Sequence, residues 1–588
     1  MKFLGNVLAV IVGLFIFSIL SFLLFFGLIG IIAASGEKEV SVEDNSILHL
    51  NLNGRALVER TSDEDLNFGP FGNPFGGGLQ AGLVNLKKAI REAKTNDKIQ
   101  GIYLNTGLIL AGQANLLELR EELESFKESG KFIIAYDEAY SEGGYYLASV
   151  ADEVYLNPMG AIDFNGLASE VIFLKGFFEK VGIKPVVFRV GEFKSAVEPF
   201  ILDKMSPENR LQTQYFLDDI NQEMIRSVAN SREIAIDSML VINNQMLVRK
   251  AQDALGYGLV DGLTYEDEVH AILREKLGLG EDDEIKTINA TNLGSVAKSS
   301  NLTSKNRIAV ILAEGEIMSG NMDGVISSDK FAKEIRKARK DDNMKAIVLR
   351  VNSPGGSILA SEVIWREMNE AKKVKPVIVS MGEVAASGGY YISAPADTIV
   401  AQPNTITGSI GIFGLWFNVQ ELINDKLGIT TDVVSTGELS DFMNVARPLS
   451  EVEKTIVQNS IEEGYEIFIS RVAEGRNMSP EAVKEVASGR VWTGSQAKER
   501  GLVDVLGGLD TAIEIAAGKI EAGDDYRVIY YPQEKPWFEK LMDDLSNNVQ
   551  TKILQARLGE YFELYQNLEK VKNYQGIQAR MPQEIKIY

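Results

Sequence analysis

Apolar positions along this chain alternate between two periods, and the alternation occurs twice. In the first half, Ile47 to Leu52 and Gly101 to Leu104 read as strands. Leu116, Leu119, Leu123 and Phe126 then share one helix face, and Phe132 to Tyr136 is a short apolar run of the kind buried on both faces. In the second half, Ile308 to Leu312 and Ala346 to Val351 read as strands, Ile364, Met368 and Ala371 lie on one helix face, and Val377 to Ser380 is again strand-like. Strands alternating with helices in this order predict an α/β fold of parallel strands and crossover helices.

The two halves are copies. Gly143-Gly144-Tyr145-Tyr146 in YSEGGYYLASVAD matches Gly388-Gly389-Tyr390-Tyr391 in MGEVAASGGYYISAPAD at an offset of 245. Near the far end, Ala254 to Asp261 (ALGYGLVD) matches Ala497 to Asp504 (AKERGLVD) at an offset of 243. Agreement at both ends argues against chance. Between the halves, residues 278–306 are rich in Asp, Glu, Asn, Ser and Thr and read as a linker. The division is therefore an apolar segment 1–36, a first repeat 37–277, the linker 278–306, a second repeat 307–524 and an extension 525–588 that reads as an appended arm for packing between subunits.

Phe3 to Gly36 holds no charged side chain, with Lys2 before it and Glu37-Lys38-Glu39 after. About 20 apolar residues cross a bilayer, so the run predicts one transmembrane helix. A cleaved signal peptide, with Ala33-Ala34-Ser35 as its cutting site, is the rival reading, but such peptides have apolar cores of roughly 7 to 15 residues. Lys2 places the short end in the cytoplasm and the remainder across the membrane. Asn67 to Gly78, NFGPFGNPFGGG, has neither period and reads as a loop.

With 588 residues the chain exceeds the size of one core. Its 82 acidic and 60 basic residues give a net charge of -22, which argues against nucleic acid as a partner. Cysteine is absent, which removes thiol nucleophiles, disulfides and zinc-cysteine sites. His49 and His270 are the only histidines, and each sits in a run that gives it a structural reading. There is no Walker-type loop, no HExxH and no Rossmann glycine fingerprint, so neither cofactor nor metal is expected.

Chemistry is then sought among serine and lysine. Ser387 stands between two alanines and two glycines, open to the approach of another backbone, and the first copy has Glu142 at its place. A serine nucleophile needs a base, and with histidine nearly unavailable lysine is next, provided burial holds it neutral. Lys194 lies in VVFRVGEFKSAVEPF; aligning Gly191-Glu192 with Gly437-Glu438 puts Ser440 opposite it. Each half has lost what the other retains, a pattern that structural drift has no reason to produce. Asn352-Ser353-Pro354-Gly355-Gly356-Ser357 follows a strand and opens a helix, offering glycine amides to an oxyanion with Gly388 N–H as second donor. Its counterpart, Asn105-Thr106-Gly107-Leu108, lacks the Pro-Gly-Gly. Gly408-Ser409-Ile410-Gly411 is a further small-residue turn, with Phe164 opposite Ser409.

Through GEFKSAVEPF, RVNSPGGS, AASGGYY and TGSIGIFG, in that order, the chain resembles the signal peptide peptidase A family in its long, duplicated, membrane-anchored form, within the Clp protease and crotonase superfamily. The resemblance spans about Ile47 to Asp510 and the anchor. It implies a serine endopeptidase with Ser387 as nucleophile, Lys194 as general base, Ser409 as the hydroxyl that positions the lysine, and Gly355 and Gly388 as oxyanion amides. It implies two tandem Clp/crotonase-like repeats in a bowl-shaped oligomer, commonly a tetramer, at the inner membrane with the catalytic part on the extracytoplasmic side. The substrates it implies are cleaved signal peptides and other unfolded apolar peptides. Two other classes compete: a non-catalytic membrane scaffold, which would let the Ser387/Lys194 pair drift, and a crotonase-type acyl-thioester hydrolase, which the anchor and Lys194 disfavour.

Overall fold

The computed structural model describes residues 12–21, 41–61, 80–296, 303–533 and 576–581. The first repeat is built on a six-stranded sheet in the order Gly262–Leu263, Glu153–Ile162, Phe132–Tyr140, Ile99–Asn105, Ser46–Asn51, Thr287–Asn289, with every pairing parallel. Ile47, Leu48, Ile102, Ile133 and Ile134 have no solvent exposure, as expected where helices cover both faces of a parallel sheet. One crossover helix, Leu83–Thr95, turns Leu83, Leu86, Ala89, Ile90 and Ala93 inward at helical spacing and ends at Asn96, whose backbone is extended.

The second repeat follows the same plan on eight strands. Arg307–Glu314, Met344–Ser353 and Val377–Ala386 run parallel side by side, Thr398–Ala401 and Ile406–Gly408 both pair with the last of these, and Val491–Thr493 closes one edge antiparallel. The strands expected from the sequence lie within these elements, except that Leu52 falls one residue past Ser46–Asn51.

Three segments depart from the expected boundaries. The stretch read as a linker supplies the edge strand Thr287–Asn289 and the helix Ala290–Val296, because Ile288 and Leu293 bury against the first core. Within the extension, Arg527–Tyr531 pairs parallel with Arg307–Glu314, matching the way Thr287–Asn289 pairs with Ser46–Asn51. Each repeat therefore closes with a strand beside its own first strand, beyond residues 277 and 524. Farther on, Gly576–Arg580 is not a free arm but a strand inside the molecule.

That strand belongs to a third sheet, which sets the relation between the halves. Its order is Ile326–Ser327, Ile317–Met318, Gly355–Ser357, Gly576–Arg580, Ile412–Asn418, Lys184–Val190. Lys184–Val190, from the first repeat, pairs antiparallel with Ile412–Asn418 of the second along its whole length, Val190 opposite Ile412. Elsewhere the halves meet through buried charge. The Arg350 guanidinium lies 2.9 Å from Glu59 and 2.6 Å from Glu118, and Lys87 lies 3.0 Å from Glu118. Removing one member would strand the others uncompensated in a dry interface.

Among the described residues no helix is long and apolar enough to cross a membrane. Most of the apolar run Phe3 to Gly36, and all of the loop 67–78, lie outside the described residues.

Candidate active site

Ser387 sits at a sharp elbow. The strand Val377–Ala386 delivers it, the helix Gly388–Ser393 leaves from it, and its own backbone is at φ 55, ψ -112. A non-glycine residue in that region is strained and persists only where its surroundings hold it. Here Ser387 N–H donates to Gly408 O at 2.8 Å, and Tyr390 Oη donates to Leu502 O at 2.9 Å to fix the helix that follows. Gly389 must lack a side chain, since a Cβ there would come within 2.7 Å of Ser353 O.

Lys194 arrives from the other repeat, four residues beyond the strand Lys184–Val190. Phe193 N–H donates to Ser488 O at 3.0 Å, and the chain then turns into Ser195–Val197. Gln212, on the helix Pro207–Ser231, ties this turn down: its Nε2 donates to Ser195 Oγ at 3.0 Å and to Phe193 O at 3.2 Å, while its Oε1 accepts from Val491 N–H at 3.2 Å. Lys194 passes across Gly489, where a Cβ would meet Lys194 N and Cβ at 2.7 Å each, and across Gly411, where one would meet Lys194 Cδ at 3.2 Å.

Lys194 Nζ ends 2.8 Å from Ser387 Oγ, 3.0 Å from Ser409 O and 3.1 Å from Ser409 Oγ. Lys194, Ser387 and Ser409 are all fully buried. No carboxylate pairs with the amine among the described residues, and burial holds its pKa well below the ordinary lysine value. A neutral amine has two N–H bonds and one lone pair, which suits this arrangement. In the neutral form those N–H bonds would go to Ser409 O and Oγ, leaving the lone pair to the Ser387 hydroxyl. Such an arrangement would let Ser387 Oγ pass its proton to a neutral amine as it attacks a carbon centre.

Gly388 opens the helix after the serine, with its amide free of any intrahelical partner. The Gly355 amide, expected to face an oxyanion, instead donates to Ser353 Oγ at 3.1 Å within its own loop. Its φ of 97 and the missing Cβ matter for another reason: a side chain there would come within 2.7 Å of Gly388 N and 2.2 Å of Ala579 O. The next residue, Gly356, pairs with Ala579 of the strand Gly576–Arg580. Met581 N–H donates to Pro354 O at 2.7 Å, and antiparallel rungs recur every second residue, so Gly356 N–H is directed at Ala579 O.

The first-repeat counterparts form no such site. Glu142 is buried, accepts from Asn243 Nδ2 at 2.9 Å and Gly166 N–H at 3.1 Å, and burial pushes its pKa up to about 7. Phe164 fills the place of Ser409 by packing edge-on against Tyr145, and Ser440, opposite Lys194, is exposed. His49 accepts a structural role, 2.7 Å from Asn105 Oδ1 and stacked on Tyr103. Sequence reasoning missed Gln212, Gly489 and the strand Gly576–Arg580. Only Gly489 carried a signal: at the offset of 243 its counterpart is Met246, a side chain where no lysine has to pass.

Comparison with known proteins gives the family of the chain. The Peptidase family S49 model matches residues 125–280 and 369–522, and the Clp protease model matches 299–406. The chain belongs to peptidase family S49. It is 38% identical to Protease 4 of Salmonella typhi over 491 residues, covering 81% of this chain and 78% of that one. It is 36% identical to Protease 4 of Haemophilus influenzae over 549 residues, 90% and 88% respectively. The putative signal peptide peptidase SppA of Enterococcus faecium matches at 40% over 209 residues, 35% of this chain and 60% of that one. As a member of the S49 family the protein is a serine protease, and the family model falls once on each repeat, in keeping with the duplication.

Proposed function

We propose that this serine protease works through a Ser387/Lys194 dyad shared between its two repeats. The observation that carries the reading is the 2.8 Å approach of Lys194 Nζ to Ser387 Oγ, both buried, with no carboxylate paired to the amine among the described residues. Neutral Lys194, held by Ser409, takes the hydroxyl proton as Ser387 Oγ attacks the peptide carbonyl. The developing oxyanion rests on the amides of Gly388 and Gly356, and Gly355 leaves room for it. Lysine then delivers the proton to the leaving amine. Water, activated by the same lysine, resolves the acyl-enzyme and frees Ser387.

The substrate is an extended, unfolded apolar peptide, cleaved signal peptides among them, in line with the name of the Enterococcus faecium relative. The side of Gly355–Ser357 that pairs with Gly576–Arg580 recognises main chain before side chains, so a peptide with no fold of its own would suit it there. The apolar run Phe3 to Gly36 anchors the chain in the inner membrane, with Lys2 on the cytoplasmic side and both repeats across it. Resemblance to long duplicated relatives favours a homotetramer. Hydrolysis of an apolar fluorogenic peptide by the parent, Ser387→Ala and Lys194→Ala chains tests the dyad. Activity in either variant at the parent rate would sink it.

A further inference from the structure

One short loop of the second repeat touches every part of the lysine's seat. Ser488 O accepts from Phe193 N–H at 3.0 Å, Gly489 leaves room for Lys194 to pass, Arg490 O accepts from Ser409 N–H at 2.6 Å, and Val491 N–H donates to Gln212 Oε1 at 3.2 Å. The loop is bent to do this, with φ 55 at Ser488 and 79 at Gly489. At Ser488 such a conformation is strained and persists only where contacts outside the loop hold it.

The side chain of Arg490 makes contacts of that kind. Its guanidinium carbon stands 4.2 Å from the centre of the Trp492 ring, 5.0 Å from that of Phe193 and 5.7 Å from that of Tyr215. The three rings come from three elements: the strand Val491–Thr493, the turn that delivers Lys194, and the helix Pro207–Ser231 that also carries Gln212. Among the described residues no carboxylate pairs with Arg490, and its Nε is buried without a hydrogen-bond partner. Its contacts are with ring faces, which attract a cation more strongly as water is displaced. The other repeat lacks this device. At the offset of 243, Gly489-Arg490 stand opposite Met246-Leu247, in the copy that has no lysine to seat.

We propose that Arg490 is a positioning residue for Lys194, a cationic rivet that stacks on Phe193, Tyr215 and Trp492 across the two repeats while its own carbonyl holds Ser409. This rests on the Ser387/Lys194 reading. The guanidinium fixes the residue before the lysine, and the backbone of the same arginine fixes the serine that holds the amine. Releasing the stack lets the two parts of the seat separate and admits water to the amine, which restores its charged form. The other charged and titratable groups facing the seat are Arg189, whose Nη1 donates to Lys194 O at 3.4 Å, Glu198, 4.0 Å from Arg189, Tyr465, whose oxygen accepts from Ser488 N–H at 3.4 Å, and Arg500, 3.8 Å from the Trp492 ring. None of them pairs with the amine, so burial sets its charge state.

The test follows kcat and KM from pH 6 to 10 on an apolar fluorogenic peptide for the parent, Arg490→Leu, Arg490→Lys and Tyr215→Leu, beside Lys194→Met. Arg490→Leu is expected to lower kcat by about 10²-fold at pH 7, to leave KM within about 2-fold, and to move the acidic limb of the kcat/KM profile about one unit higher, so that the deficit narrows toward pH 10. Arg490→Lys, which keeps a cation for the rings, should return to within about 5-fold of the parent with its acidic limb restored. Tyr215 is exposed, so Tyr215→Leu spares the core; a loss of about 3-fold with a smaller shift in the same direction is expected. Parent kcat in Arg490→Leu would overturn the proposal. So would a loss that leaves the acidic limb in place, or one that Arg490→Lys does not recover, since either makes the side chain a structural support alone. If Arg490→Leu does not fold, the acidic limbs of Arg490→Lys and Tyr215→Leu decide in the same way. Lys194→Met at the parent rate would instead remove the dyad, whatever the Arg490 variants do.

Discussion

The two GGYY elbows share a sequence and differ in what their loops do. In the second repeat, Ser387 stands outside the helix at positive φ, and the missing Cβ atoms of Gly355 and Gly388 leave a place filled by the Ala579 carbonyl. In the first, Glu142 is the helix's first residue, and the preceding Ser141 caps the helix from an extended conformation, accepting from Gly144 N–H. Gly107 O then accepts from both Ser141 N–H, at 2.9 Å, and Ser141 Oγ, at 3.0 Å. The elbow is unstrained there, and the loop at Gly107 is hydrogen-bonded to it. A duplicated fold can retain its strands and core while one copy gives up its chemistry, because the elbow's strain has value only where a nucleophile must be presented.

The largest effect separates the elbows outright. Ser387→Ala is expected to lower kcat/KM by about 10⁵-fold, while Glu142→Gln leaves it at the parent value. Equal losses in steady-state assays would break the contrast. Lys194→Met comes next, with a fall of about 10⁴-fold. It also carries a stability signature. Burial sets the folded pKa of Lys194 below its unfolded value, so between the two the unfolded chain holds more protons and stability rises with pH. Lys194→Met should therefore raise Tm at neutral pH, with the difference closing toward about pH 10.4, the unfolded lysine value. For the same reason, parent kcat/KM rises with pH through the depressed pKa.

Smaller changes sharpen the comparison. Gly489→Ala pushes a Cβ into the Lys194 backbone and should cost about 10²-fold in kcat, measurable beside an unchanged circular dichroism spectrum. Ser409→Ala removes the 3.1 Å hydroxyl contact but leaves the 3.0 Å carbonyl contact, so a loss of about 10-fold is expected, with a displaced acidic limb in the pH–rate profile. Least of all, Glu142→Gln should alter only stability. Burial pushes the folded carboxyl up to about 7 against an ordinary 4.5, so the parent loses stability as pH rises through that window more steeply than the variant, in which Asp137, Glu314 and Glu383 still titrate, as Tm measured from pH 4 to 8 would reveal.

Much of the site could be read from the chain because duplication left a written contrast. Glu142 against Ser387, and Ser440 against Lys194, marked two side chains as a divided pair before any contact was known. The conformation of the oxyanion loop could not be read so closely. The Pro-Gly-Gly signal located the loop, but which of two adjacent glycine amides faces the groove depends on a backbone flip and on the Ser353 hydroxyl that takes the Gly355 amide. The supports of Lys194 were hidden for a similar reason, since Gln212 gives no periodic or motif signal and acts only after the halves have docked.

Local periodicity and the comparison of one half with the other were enough to place the central strands, the crossover helices, the repeat and the two residues of the proposed dyad. Tertiary structure alone decided that Lys184–Val190 crosses to pair with Ile412–Asn418, which brings Lys194 to a serine 193 residues away, and that Gly576–Arg580 occupies the groove beside them. Strand pairing is made by main-chain groups common to all residues, so the choice of partner depends on which edges are left open once the two cores have formed.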